Sequence, residues 1–165
     1  MNHAAALTVL MHKPAQVAAR TALQQAWPEL CPGQALPEGL RQPLPLEDPA
    51  SGLVVWSSDR GVLRRLLDER QPLEQEWLLS MPMSGQPLID ALRAQGMRAS
   101  LGHEREGLGQ WRVVGRAATI QGLPQWLQAQ RPGGEWQLRR QRIGRLGLAP
   151  LAPGQARCLH EFEKF

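Results

Sequence analysis

Two adjacent carboxylates are the residues in this chain whose position most suggests chemistry. Glu47 and Asp48 stand just before a Ser-Gly corner, and an apolar run, Leu53–Trp56, follows at once. A carboxylate at such a corner can act as a nucleophile or as a general base. The same pair followed by Pro49 is also typical of a solvated turn, because Asp-Pro favours turn initiation. The residues alone leave both interpretations open.

The charge of the chain indicates an anionic partner. The 165 residues carry a net charge of +4, and the sequence pI is about 10.0. Lys13 and Lys164 are the only lysines, so arginine supplies nearly all of the positive charge. The planar arginine fork binds phosphate and stacks on bases, which favours nucleic-acid binding. A GC-rich genome, which favours arginine codons over lysine codons, would produce the same composition.

Several other classes of protein are not indicated. No apolar run approaches the roughly 20 residues of a membrane span, and the N-terminus lacks the basic segment of a signal peptide. Cys31 and Cys158 are far apart, and His12, His103 and His160 lack the spacing of metal ligands. We therefore expect a cytoplasmic, monomeric protein that uses no metal and no cofactor.

The elements that must position the acids alternate between strands and helices. A strand is predicted at 5–12 and a helix at 14–27, followed by a Pro/Gly-rich loop at 28–49 that leads into the acidic corner. A strand at 52–58 follows, and then a helix capped by Asp59. Further along, the pattern predicts strands at 72–83, 97–104 and 109–120, helices at 84–96 and 123–131, and two or three strands from 135 onward.

This order lacks the regular alternation of a doubly wound parallel sheet. It predicts a single α+β domain over 1–165, with a mixed, mostly antiparallel sheet. One face of that sheet should lie under helices, and the other should form the floor of a cleft.

Four stretches carry a more specific signal, in this order: "LMHKPAQV", "PLEDPASGLVVWSSDRG", "PLEQEWLLSM" and "RRQRIGRLGLAPLAPGQARCL". Together they resemble the bacterial ribosomal RNA pseudouridine synthases, in the branch that isomerises single uridines. The last stretch is the most specific, since it matches the family's closing strands at eleven positions. The first stretch, "LMHKPAQV", departs from the family's Lys-Pro-x-Gly pattern, because Gln16 replaces the glycine. The resemblance implies a pseudouridine-synthase-like catalytic domain without the N-terminal RNA-binding domain that many members carry.

The resemblance also implies roles for individual residues. The family breaks the glycosidic bond of an extruded uridine with an aspartate, next to a tyrosine under the base and a cation that pairs with the aspartate. The aspartate position falls on Glu47, or on Asp48 if the loop is one residue shorter. Pro45 occupies the position where the family usually has an arginine ahead of the aspartate. The tyrosine position is Trp77, which can stack on a base but whose indole N–H only donates.

The cations expected to contact RNA phosphates are Lys13, Arg139, Arg140, Arg142 and Arg145. Among the tryptophans, Trp56 and Trp136 are expected in the core or half-buried at its edge. Ribosomal RNA is the partner that the resemblance implies.

Three hypotheses follow. The first is a pseudouridine-synthase-like domain that is degenerate at its catalytic positions and still binds RNA. The second is an active synthase in which Asp48 or Glu47 supplies the carboxylate. The third is a non-catalytic protein-interaction domain.

Overall fold

One sheet runs through the computed structural model, which describes residues 5–130 and 135–165. Its strands are β1 (Thr8–Lys13), β2 (Ser51–Ser57), β3 (Glu74–Pro82), β4 (Arg98–Arg105), β5 (Leu108–Arg116), β6 (Gln137–Ile143), β7 (Leu146–Gly147) and β8 (Ala156–Cys158). The helices are α1 (Ala19–Leu30), α2 (Arg60–Leu66), α3 (Gln86–Ala94), α4 (Ala117–Ile120) and α5 (Leu123–Gln130), with a 3-10 helix at Met83–Gly85.

The strand order confirms the predicted α+β class and the mostly antiparallel sheet. The strands run β4-β5-β3-β6-β2-β1-β8, and β7 pairs with β6. Within the described residues, the one parallel contact is between β2 and β6, where Ser51 lies opposite Arg139 and Gly52 opposite Arg140. Beyond those two pairs β2 and β6 separate, and we call this point the fork of the sheet.

The two faces of the sheet are covered unequally. Helices α1, α3, α4 and α5 cover one face and form the larger core with inward side chains such as Leu79 and Met81 of β3. On the other face, α2 and the C-terminal segment cover only the half around β1 and β2. In the remaining half the intervening β3 side chains, Glu76 and Leu78, are only half-buried. This confirms that one face lies under helices and part of the other is open.

The first helix starts later than predicted, at Ala19 instead of Pro14. Residues 14–18 turn around the ammonium group of Lys13, which donates hydrogen bonds to the carbonyls of Pro14 (2.8 Å) and Val17 (2.6 Å). These carbonyls therefore bond to a side chain and not to helical N–H groups. The helix also extends to Leu30, so the first three residues of the predicted 28–49 loop are helical.

Other local predictions have mixed outcomes. Asp59 caps α2 as predicted, because its Oδ1 accepts hydrogen bonds from the N–H groups of Gly61 (2.8 Å) and Val62 (3.2 Å). The strand predicted at 109–120 ends at Arg116, and residues 117–120 of the predicted range form α4 instead. Gly133-Gly134 follow the helix predicted at 123–131 and are expected to close it, but they lie outside the described residues. Among the helices described, none is long and apolar enough to cross a membrane.

Gly52 allows β2 and β6 to meet at the fork. Its φ is +114°, a conformation that residues with a Cβ rarely adopt. A Cβ atom at this position would lie 2.3 Å from the carbonyl oxygen of Arg140, which is backbone and cannot rotate away. The Ser-Gly corner is therefore a packing requirement of the sheet.

We predict that Gly52→Ala destabilises the fold by about 3 kcal/mol or more, from backbone strain plus overpacking. Gly33→Ala is the matched control, because Gly33 also has a positive φ of +76° but has no atom within 4 Å of the added Cβ. It should cost about 1 kcal/mol. Urea unfolding of both variants measures the difference, and equal costs would contradict the close-approach argument.

Candidate functional site

A cleft of about 730 Å³ opens beside the fork. Its walls come from the end of β1, the 14–16 turn, the Pro49–Ser51 segment, the start of β6 and the end of α5. The polar or aromatic side chains in it include His12, Gln16, Gln128, Trp136 and Arg139. Among the described residues no group of three His, Cys, Asp or Glu that could hold a metal ion occurs. The cleft thus presents amides, an imidazole, an indole ring, a guanidinium and the carboxylate of the exposed Glu135.

The acid pair lies next to the cleft without lining it. Pro49 and Ser51 are in the wall, whereas Glu47 is half-buried and Asp48 is exposed. Burial, and then the nearby charge of Asp48, raise the pKa of Glu47. Neither carboxylate forms a salt bridge with a described residue. The loop is held through its main chain, because the Asp48 carbonyl accepts hydrogen bonds from the Gln16 N–H (2.7 Å) and from Lys13 Nζ (3.0 Å).

Lys13 is a structural residue in this arrangement. Its side chain is fully buried, and its ammonium group donates to the carbonyls of Pro14, Val17 and Asp48. Burial lowers the pKa of Lys13 to about 8, and the negative charge of Asp48 opposes that shift. The expectation that Lys13 contacts RNA phosphate is corrected, since its donors are already used inside the protein.

Arg140 is also buried, at the fork itself. Its Nε donates to the Leu53 carbonyl and its Nη2 to the Leu44 carbonyl, both at 2.8 Å, and Nη1 lies 3.5 Å from Gln75 Oε1. Burial lowers the pKa of Arg140 to about 9. No carboxylate of the described chain forms a salt bridge with it. Arg140 therefore closes the gap between the separating strands, and its predicted role as a phosphate contact is corrected.

Trp77 is packed under that guanidinium, with Arg140 Cζ 5.4 Å from the ring centroid. The indole N–H donates to Gln75 Oε1 at 3.0 Å, and Trp77 is only 1% exposed. Trp77 is also among the residues that line a separate depression of about 380 Å³. The prediction that Trp77 stacks on a base is corrected, because its ring face is already covered by Arg140.

The other three predicted cations remain at the surface or in the cleft. Arg139 is half-buried in the cleft wall, and its Nε is buried without a hydrogen-bond partner among the described residues. Arg142 and Arg145 are exposed, and Arg142 Nη1 donates to the Arg145 carbonyl at 2.7 Å. Elsewhere on the open face, acids offset the positive charge, because Arg112 pairs with Glu76.

The structure adds three cleft residues that the sequence did not assign to the site: His12, Gln16 and Trp136. His12 Nδ1 lies 3.0 Å from the Leu151 carbonyl, which can only accept, so Nδ1 carries the proton and Nε2 is an acceptor in the neutral ring. Burial and the charge of Arg139 lower the pKa of His12, and the bond to Leu151 opposes them. Gln16 was noted only as a departure from the family pattern, and Trp136 only as core or half-core.

Comparisons with known proteins support the fold. No protein-family model matches the chain, and no curated protein matches it. A crystal structure of a pseudouridylate synthase superposes with a TM-score of 0.63 at 18% identity, covering 94% of this chain and 71% of that one. The crystal structure of the archaeal box H/ACA sRNP Nop10–Cbf5 complex gives a TM-score of 0.58 at 18% identity, covering 90% of this chain and 51% of the other.

A third similar structure is an H/ACA RNP bound to a substrate RNA containing 2′-deoxyuridine. Its TM-score is 0.51 at 16% identity, with 84% of this chain and 47% of the other covered. The chain therefore spans about half the length of the two H/ACA proteins. At these identities the likeness establishes the fold: the chain has the pseudouridine synthase fold.

The burial of Lys13 generates a prediction about pH. Between pH 8 and about 10.4 the unfolded chain, in which lysine has its usual pKa, binds more protons at this residue than the folded chain. The contribution of Lys13 to the free energy of unfolding should therefore rise with pH in this window, by at most about 1.4 kcal/mol per pH unit. Below pH 8 both states are protonated and the contribution should stay constant.

Urea unfolding from pH 7 to 10 measures this effect as the difference between the wild type and Lys13→Met. Lys164→Met is the matched control, because it removes the chain's other lysine, which is exposed. The difference should change with pH for the first variant and stay level for the second. A level difference for both would mean that the Lys13 ammonium is not held as the structure shows.

Proposed function

We propose that this chain is an RNA-binding domain of the pseudouridine synthase fold whose catalytic positions no longer support isomerisation. The observation that carries the proposal is the state of Arg140. In the family that the sequence resembles, a cation pairs with the catalytic aspartate. Here the buried cation next to the former active-site loop binds the carbonyls of Leu44 and Leu53.

The two neighbouring catalytic positions support the same conclusion. The aspartate position holds Glu47, whose side chain is longer by one methylene, and a displacement near 1 Å can lower a rate about 100-fold. The tyrosine position holds Trp77, whose N–H is bonded to Gln75 and which cannot accept a proton. Glu47 has no paired cation, and Trp77 has no atom that can accept a proton. These two residues are therefore poorly suited to breaking a glycosidic bond.

RNA binding requires less than catalysis, and the residues for it are present. Arg139 lines the cleft, Arg142 and Arg145 are exposed, and Trp136 offers a half-buried ring. Guanidinium groups bind phosphate, and aromatic rings stack on unpaired bases. The structural likeness to an RNP bound to substrate RNA supports an RNA ligand. We propose ribosomal RNA as that ligand, bound by a cytoplasmic monomer.

We predict that Arg139→Gln/Arg142→Gln lowers affinity for a structured RNA about tenfold in 150 mM salt. Each phosphate contact that is lost reduces the number of counterions released on binding. The slope of log K against log salt should therefore become less negative by about 1.5 to 2. Fluorescence anisotropy with a labelled ribosomal RNA fragment measures both quantities.

Arg60→Gln/Arg64→Gln is the charge-matched control, because both residues are exposed on α2 and line neither the cleft nor the depression that Arg142 lines. It should leave the affinity nearly unchanged. Equal losses in the two double variants would mean that binding follows net charge alone. RNA binding that is absent, or insensitive to salt, would instead favour the protein-interaction hypothesis.

An active synthase is the second candidate, and one observation favours it. The main chain of Asp48 is held by Lys13 and Gln16, so the exposed carboxylate is carried on a fixed backbone next to the cleft. In this hypothesis Asp48, or Glu47, supplies the catalytic carboxylate.

Pseudouridine mapping of ribosomal RNA separates the two candidates. We expect that a strain lacking the gene loses no pseudouridine, because the carboxylates lack a paired cation. The strain is complemented with the wild type and with Glu47→Gln/Asp48→Asn. A modified site that disappears on deletion and returns only with the wild type would establish the second candidate in place of the first.

A further inference from the structure

Gln16 has a left-handed backbone that is costly for a residue with a side chain. Among the described residues, Gln16 (φ 63°) and Glu106 (φ 53°) are the two non-glycine residues with positive φ. For most L-amino acids this conformation is unfavourable, because Cβ approaches the following carbonyl oxygen.

The turn that contains Glu106 explains its conformation. Arg105 pairs with Leu108, so Glu106 and Gly107 form a two-residue connection between β4 and β5. Turns of this type need positive φ at both central positions, and Gly107 has φ +82°. The strain at Glu106 therefore belongs to a hairpin.

Gln16 lies in the turn around Lys13, which fixes its left-handed backbone but does not require a side chain at this position. Its N–H donates to the Asp48 carbonyl at 2.7 Å, and a glycine would make that main-chain bond in the same conformation at lower cost. Gln16 is exposed, so its side chain gains little packing energy inside the protein. Strained residues at a cleft commonly hold a group that contacts a ligand, and Gln16 lines the cleft beside Trp136 and Arg139.

We propose that Gln16 contacts a base: its amide hydrogen-bonds to the Watson–Crick edge of an unpaired nucleobase in the bound RNA. This inference rests on the proposed RNA-binding function. A primary amide presents a donor and an acceptor side by side, which matches the paired donor and acceptor on a base edge. Trp136 provides a surface on which the same base stacks, and the guanidinium of Arg139, which also lines the cleft, binds the adjoining phosphate.

The test combines a protein variant with a change in the RNA. The two probes are a duplex RNA with one bulged uridine and the same duplex with an abasic ribose at the bulge. Gln16→Gly should bind the uridine RNA about five- to tenfold more weakly than the wild type, the effect of losing a base-edge hydrogen-bonding pair. Both proteins should bind the abasic RNA equally, because the base that couples to Gln16 is then missing.

Stability provides a second, independent readout. Gln16→Gly should raise the Tm by about 2 °C, since it relieves the backbone strain. Glu106→Gly is the matched control, because it relieves a similar strain at the hairpin and should leave both RNA affinities unchanged. A variant that is more stable and yet binds the bulged uridine less tightly is the expected result.

Each other outcome has a definite meaning. Equal weakening of both RNAs by Gln16→Gly would show that Gln16 only stiffens the cleft wall and would overturn the inference while leaving RNA binding intact. An unchanged or lower Tm would overturn the strain argument. If the wild type bound neither RNA, the proposed function would fail and this inference with it.

Discussion

The contact between Gly52 and Arg140 is the constraint on which the rest of the structure depends. Here β2 and β6 run in parallel for two residue pairs and then separate, which leaves the Leu53 carbonyl beside the gap. The Arg140 guanidinium donates to that carbonyl and to the Leu44 carbonyl, so one side chain ties together both strands and the loop ahead of them. The close approach leaves no space for a Cβ at residue 52.

The same interaction holds the fork together without a contribution from the acids at 47 and 48. A buried guanidinium needs hydrogen-bond acceptors, and leaving it without them would be strongly destabilising. Backbone carbonyls supply such acceptors here. The acids at 47 and 48 are therefore not required for the scaffold, whereas Arg140 and Gly52 are. Trp77, packed beneath Arg140, fills the space that joins the fork to the larger core.

The cleft is built around a second buried cation. Lys13 draws the carbonyls of Pro14, Val17 and Asp48 around its ammonium group, and the tight turn that results holds Gln16 in a left-handed conformation at the cleft wall. Lys13 and Arg140, the two buried cations, thus organise the backbone beside the cleft and at the fork. Arg139, by contrast, lies half-buried in the cleft wall.

The sequence by itself determined the α+β class and the cap at Asp59, because hydrophobic periodicity and capping are local. It predicted that the whole second face of the sheet is open, but α2 and the C-terminal segment cover half of it. It also indicated the fold, through the resemblance of the Ser-Gly corner and the closing strands to the pseudouridine synthases. Only the tertiary structure decided which cations face solvent. Arg139 and Arg140 are adjacent in the sequence, but the pleat of β6 and the fork send one into the cleft and bury the other. Trp136 lies far along the chain from His12 and Gln16, so it joins them in one cleft only after the strands have paired.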